Sequence, residues 1–159
     1  MRAVWLVACV ACWFEHGAAP VTPPAAVAPA GSAVDAAICP ADYTASFGGH
    51  FYKQLANVDW NTGQMMCAAD QGHLAKIETM AENDYLHGQL TFGFAWIGLK
   101  DTMGNDTFYW TDGTPLGSFN DFAGTTASQT KDCVDMGATA GTWAVYTCTM
   151  LELAICECP

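Results

Sequence analysis

The sequence predicts an α+β domain: two helices flanking small antiparallel sheets and a long irregular loop, the whole stapled by disulfides. Three observations carry this. Asp59 and Thr79 are each placed to cap a helix start. After Gly93 the chain changes to short apolar runs separated by turns, the habit of strands. Six cysteines, an even set, lie between Cys39 and Cys158.

The elements follow in order. Asp59 caps a helix through Trp60–Cys67 that ends by Gly72. Thr79 and Glu82 form a T-x-x-E capping box for a second helix reaching about Leu90. Phe94–Leu99 and Phe108–Trp110 read as strands, the second closed by the turn Asp112–Gly113. A polar loop rich in Gly and Thr runs from Leu116 to Lys131. Three short strands follow, around Cys133–Met136, Thr142–Cys148 and Leu153–Cys156.

With 159 residues, the chain holds one domain of ordinary size plus short appendages. A hydrophobic fraction of 52% supports a packed core. Five Lys/Arg against sixteen Asp/Glu leave a formal charge of −11. That balance repels phosphate backbones and anionic lipid, so nucleic acid and membrane surfaces are poor partners. It suits cations, basic proteins and neutral ligands.

Residues 1–19 carry Arg2, the apolar run Ala3–Phe14 and the small residues Gly17, Ala18 and Ala19, the layout of a secretory signal peptide. The run is too short to span a bilayer comfortably, and no later stretch is apolar enough to do so, so stable membrane insertion is not expected. Residues 20–38 are almost wholly Ala, Pro, Val and other small types, a semi-extended linker. The domain then occupies residues 39–158. Cys9 and Cys12 leave with the signal, and the remaining six cysteines have no C-x-x-C spacing, which favours disulfides over zinc. Spacing alone allows fifteen pairings of six cysteines.

The chain then resembles the C-type lectin-like domain family along its whole domain. The segments that carry the likeness are CPADY (Cys39–Tyr43), FYK (Phe51–Lys53), GHLAKIET (Gly72–Thr79), the tetrapeptide Trp96-Ile97-Gly98-Leu99, FYWTDGTPL (Phe108–Leu116), DCV (Asp132–Val134), GTW (Gly141–Trp143) and ICE (Ile155–Glu157). The resemblance implies pairs Cys67–Cys156 and Cys133–Cys148. Cys39 and Cys158 are left over. Because the termini of this fold lie close together, they are expected to pair with each other; the rival is a bond between chains, giving a homodimer. The resemblance also implies a secreted, extracellular, non-enzymatic protein in innate recognition or cell-surface contact.

Sugar-binding members of the family hold calcium in the long loop, and calcium wants six to eight oxygen ligands. At the positions matching that ligand set this chain has Thr125-Thr126-Ala127, Lys131, Ala144 and Val145. Calcium-borne sugar binding by that route is therefore not expected. The loop's remaining polar groups, Asn120, Asp121, Gln129 and Asp132, are the candidate ligand-binding residues. A second family calcium position, away from the loop, maps onto the backbone carbonyl of Lys76 and the carboxylates of Glu78, Glu82 and Glu157. It is expected to hold one structural Ca2+, although Glu82 is explained by the capping box alone.

The tryptophans at 60, 96, 110 and 143 read as core packing, and no Ser-His-Asp or Cys-His arrangement has supporting context. Asn105-Asp106-Thr107 is a glycosylation sequon in a turn-like stretch. The leading expectation is recognition of an extracellular protein or other ligand without loop calcium. The alternatives are a lectin that binds glycans through non-standard loop groups, and an acidic structural or matrix protein.

Overall fold

The computed structural model describes residues 39–90, 93–124 and 132–159. The proposed signal peptide and linker, and Gln129, Lys131 and Thr125–Ala127 in the long loop, lie outside the described residues.

The first element is a hairpin, β1 (Ala45–Phe47) and β2 (His50–Val58). Its two-residue turn is Gly48-Gly49, at φ 64° and 98°. Two consecutive positive φ values match the right-handed twist of the flanking strands and favour glycine at both positions. The helix α1 (Trp60–Ala69) is capped as expected: Asp59 accepts from Thr62 N at 3.0 Å. The helix α2 (Met80–Gln89) begins with Thr79 Oγ1 accepting from Glu82 N at 3.2 Å. The capping box closes one residue further back than the motif suggests, with Glu82 Oε2 accepting from Glu78 N at 3.0 Å.

Between the helices lies β3 (His73–Leu74), followed after α2 by β4 (Phe94–Asp101), β5 (Phe108–Trp110), β6 (Cys133–Gly137), β7 (Trp143–Tyr146) and β8 (Glu152–Cys158). The described strands make one mixed sheet in the order β1-β2-β8-β4-β6-β7, with β3 on β8 and β5 on β4. Pairing is antiparallel except between β4 and β8, which run parallel. The sheet is therefore continuous rather than a set of separate antiparallel pieces. The last strand sits at its centre, between β2 and β4.

Side-chain alternation along β4 divides the core. Ala95, Ile97 and Leu99 point into one cluster with Tyr52, Leu86, Trp110 and Trp143, while Trp96 points into the other with Trp60, Cys67 and Leu74. All four family tryptophans are buried, at 0–7% exposure. Gly98 leaves no room for a side chain: a Cβ there would strike the Leu74 carbonyl oxygen. Its own N–H donates to Ala75 O at 2.8 Å, so the chain after β3 rests directly on β4.

The three disulfides are Cys39–Cys158, Cys67–Cys156 and Cys133–Cys148, with Cα atoms 5.9, 5.3 and 5.1 Å apart. Cys39 is thus spent within the chain and does not link two copies. Its bridge closes a 119-residue separation. The double change Cys39→Ser/Cys158→Ser is expected to cost about 2–4 kcal/mol, because it frees the longest closed loop of the unfolded chain. Urea unfolding of variant and parent measures this.

Candidate functional site

The long loop leaves β5 through Leu116, whose N–H donates to Phe108 O at 2.9 Å. Its first half then lies against β7. Trp143 N donates to Asp121 O at 2.8 Å, and Ala123 N donates to Trp143 O at 3.0 Å. Phe119 and Phe122 meet the Trp143 ring edge-on, with centroids 5.6 and 5.7 Å away. This is a favoured aromatic geometry and seats the loop on a fully buried indole.

Sequence reasoning missed the residue that holds the assembly together. Asn83, on α2, is 2% exposed. Its Oδ1 accepts from Trp143 Nε1 at 2.8 Å, and its Nδ2 donates to Gly141 O and to Asp121 Oδ2, each at 3.2 Å. One buried amide thus joins the helix, the turn before β7 and the loop. Nothing in the local pattern marks an Asn in mid-helix as such a hub.

The candidate ligand residues separate into different settings. Asn120 is exposed, and Asp121 is half-buried and bound to Asn83. Asp132 is half-buried at the far end of the loop, its carbonyl accepting from Asp101 N at 2.7 Å. The Asp121 side chain is tied to α2 and the Asp132 backbone to β4, while Asn120 is the exposed residue of the three. Ala144 and Val145, at the positions matching calcium ligands, lie on β7 opposite Asp135 and Val134. Val145 is 2% exposed and part of the core.

The second candidate cluster is brought together around one cleft, lined by Lys76, Glu78, Glu82 and Glu157 with His50, His73 and Asp112. Its carboxylates are occupied. Glu157 Oε2 accepts from Lys76 N at 2.8 Å, and its Oε1 lies 2.7 Å from His50 Nδ1. Glu82 Oε1 accepts from Tyr52 OH at 2.8 Å. Glu78 is mostly exposed, and the Lys76 ammonium reaches both Glu78 (3.2 Å) and Asp112 (2.9 Å). Burial pushes the Glu157 carboxyl above its usual range, which disfavours a bare anion there. Among the described residues no three His, Cys, Asp or Glu side chains are grouped to hold a metal ion. A lysine ammonium, a tyrosine hydroxyl and backbone N–H groups already engage these carboxylates. Tyr52→Phe, which removes the donor to Glu82 Oε1, is expected to cost about 1–3 kcal/mol in urea unfolding.

A further pair of acids was not foreseen. Asp135 is fully buried, and neither of its oxygens nor Glu152 Oε2 meets a donor when both groups are ionised. Burial first, and the adjacent Glu152 second, push Asp135 up to about 8. One proton shared between the two carboxyls satisfies both.

Asn105 is exposed, in a bend where its Oδ1 accepts from Thr107 N at 3.2 Å. His87 and His73 each bond a backbone carbonyl, of Ala138 and Leu74.

Residues 56–158 match the Lectin C-type domain family. Among curated relatives, the chain is 30% identical over 129 residues to the snaclec bothrojaracin subunit beta of Bothrops jararaca, covering 77% of this chain and 84% of that one. It is 29% identical over 123 residues to the low affinity immunoglobulin epsilon Fc receptor of Mus musculus, spanning 76% of this chain but only 37% of the receptor. Among solved structures, a calcium-independent type II antifreeze protein superimposes with a TM-score of 0.68 at 25% identity, covering 76% of this chain and 94% of that one. The family match spans most of the described domain, and the chain belongs to the C-type lectin domain family.

Proposed function

We propose that the protein is an extracellular recognition domain, not a catalyst, which engages a protein ligand through the long-loop face without loop-bound calcium. One observation carries the reading: Val145, at a position where the family's sugar-binding members place a calcium ligand, is an apolar core residue. Its neighbour Ala144 also offers no side-chain oxygen. A hard cation bound there would be short of donors.

The likeness to a calcium-independent type II antifreeze protein supports a domain of this fold that works without the ion. The likeness to an immunoglobulin Fc receptor supports a protein ligand. The secretory layout of residues 1–19 and the six paired cysteines support an oxidising, extracellular setting. Among the described residues no helix is long and apolar enough to cross a membrane.

The test is a cross-linking pull-down from extracellular fluid, run in calcium and in EDTA, with Asn120→Arg as the loop-face variant. A partner captured equally in both conditions and lost with Asn120→Arg supports the reading. Capture that vanishes in EDTA, or that ignores the variant, counts against it. A glycan array under the same two conditions separates the lectin alternative: glycan retention that survives chelation would put sugar in place of protein. The antifreeze relatives raise a second reading, ice as the ligand, and thermal hysteresis of the purified domain decides it.

A further inference from the structure

A cleft of about 530 Å³ lies between α1 and the β4–β5 hairpin, and it shares no residue with the long loop. Trp60 and Trp110 line it, both nearly buried. Lys100 and Tyr109, cross-strand partners on β4 and β5, also line it, and Met103 at its rim is 74% exposed. The volume falls in the range of small-molecule sites, and the aromatic lining is interspersed with Gln64, Thr102 and Thr111.

Lys100 sets this cleft apart from the rest of the molecule. The other described lysines are committed to acids: Lys53 to Asp42 and Asp70, and Lys76 to Glu78 and Asp112. Lys100 makes no ion pair among the described residues, and its ammonium sits 5.2 Å from the centroid of the Trp60 ring. In a chain of charge −11, an ammonium without a carboxylate partner is unusual. Two nearby carboxylates are engaged elsewhere. Asp101 accepts from the N–H groups of Met103, Gly104 and Asp106, and Asp112 is bound by Lys76. The chain's overall negative charge acts weakly here, since physiological salt screens exposed charges beyond about 8 Å.

The geometry points to a binding site for a small flat apolar molecule bearing one negative charge, its body on the aromatic lining and its anionic group on the Lys100 ammonium. A single cation fixes a single charge on the ligand. The aromatic faces favour a planar body, and the local cation discriminates against neutral and cationic isosteres by a charge-assisted hydrogen bond.

Three probes of one shape test this: 2-naphthoate, 2-naphthylmethanol and 2-naphthylmethylammonium, titrated at physiological salt into the protein while the tryptophan indole N–H signals are followed by NMR. Saturable naphthoate binding is expected, with shifts at Trp60 and Trp110. The alcohol should bind about tenfold more weakly and the ammonium more weakly still. Lys100→Met keeps the stem that covers Trp60, so the fold should survive. It should bring naphthoate down to the affinity of the alcohol. Absence of saturable naphthoate binding, equal affinity of the three probes, or shifts confined to tryptophans outside the cleft would each overturn the assignment. The three-probe comparison on the parent protein stands whether or not the variant folds.

Discussion

Asp135→Asn is expected to abolish a loss of stability that the parent protein shows as pH rises from about 4 to about 8. The parent's Asp135 titrates near 3.8 when unfolded and at about 8 when folded. The folded state therefore binds the proton more tightly, and stability is full below the unfolded value. It declines as pH climbs through the folded one, because the native pair must then lose a proton it shares in a dry site. Asparagine supplies an N–H in place of that proton and carries no charge to lose. At about pH 9 the variant should exceed the parent by about 2–4 kcal/mol, a discounted fraction of the full shift at about 1.4 kcal/mol per unit. Urea unfolding at a series of pH values measures it. A parent profile flat between pH 5 and 8, or a variant with the parent's slope, would refute the shared proton.

The second large effect belongs to Asn83→Leu, expected to destabilise the domain by about 3–5 kcal/mol. The change leaves the Trp143 indole N–H and the Gly141 carbonyl buried without partners and removes the donor to Asp121. A leucine of similar volume keeps the packing, so the loss reports on the polar network. Asn83→Asp is the informative companion. It can still accept from Trp143, but it sets a carboxylate against Asp121 Oδ2 and should be destabilised in a manner relieved by acid. Tryptophan fluorescence during unfolding reads both. A cost under about 1 kcal/mol for the leucine variant would mean that water replaces the amide.

What the sequence made legible follows the range of each interaction. Asp59 and Thr79 act within one helical turn, and both caps stand where the local pattern puts them. The strand runs after Gly93 alternate between two cores, and β4 keeps that alternation in the fold. The hairpin β1–β2 had its own signal in Gly48-Gly49, whose two positive φ values are the mark of a tight turn. The short polar run before it hid the first strand. Long-range features were not legible from local pattern. The parallel β4–β8 pair, the Asn83 hub and the Asp135–Glu152 pair join residues from different elements, and no spacing rule links them. The cysteine pairs were available only through the family likeness, since fifteen pairings satisfy the count.

The candidate site shows the same division. Residue types at the loop positions already argued against a calcium ligand set, and Val145 lies in the core there. The second acidic cluster looked adequate as a list of oxygens. Its geometry turns those oxygens towards Tyr52, His50 and the Lys76 backbone and ammonium, which a sequence does not display.

The measurement that bears most directly on recognition without loop calcium is calorimetric titration of calcium into the EDTA-stripped, full disulfide-bonded protein. No stoichiometric binding is expected at millimolar calcium, and the unfolding temperature should be unchanged by the ion. A stoichiometric site lost in Asp132→Asn would contradict the account, because it would place a working calcium ligand set in the loop.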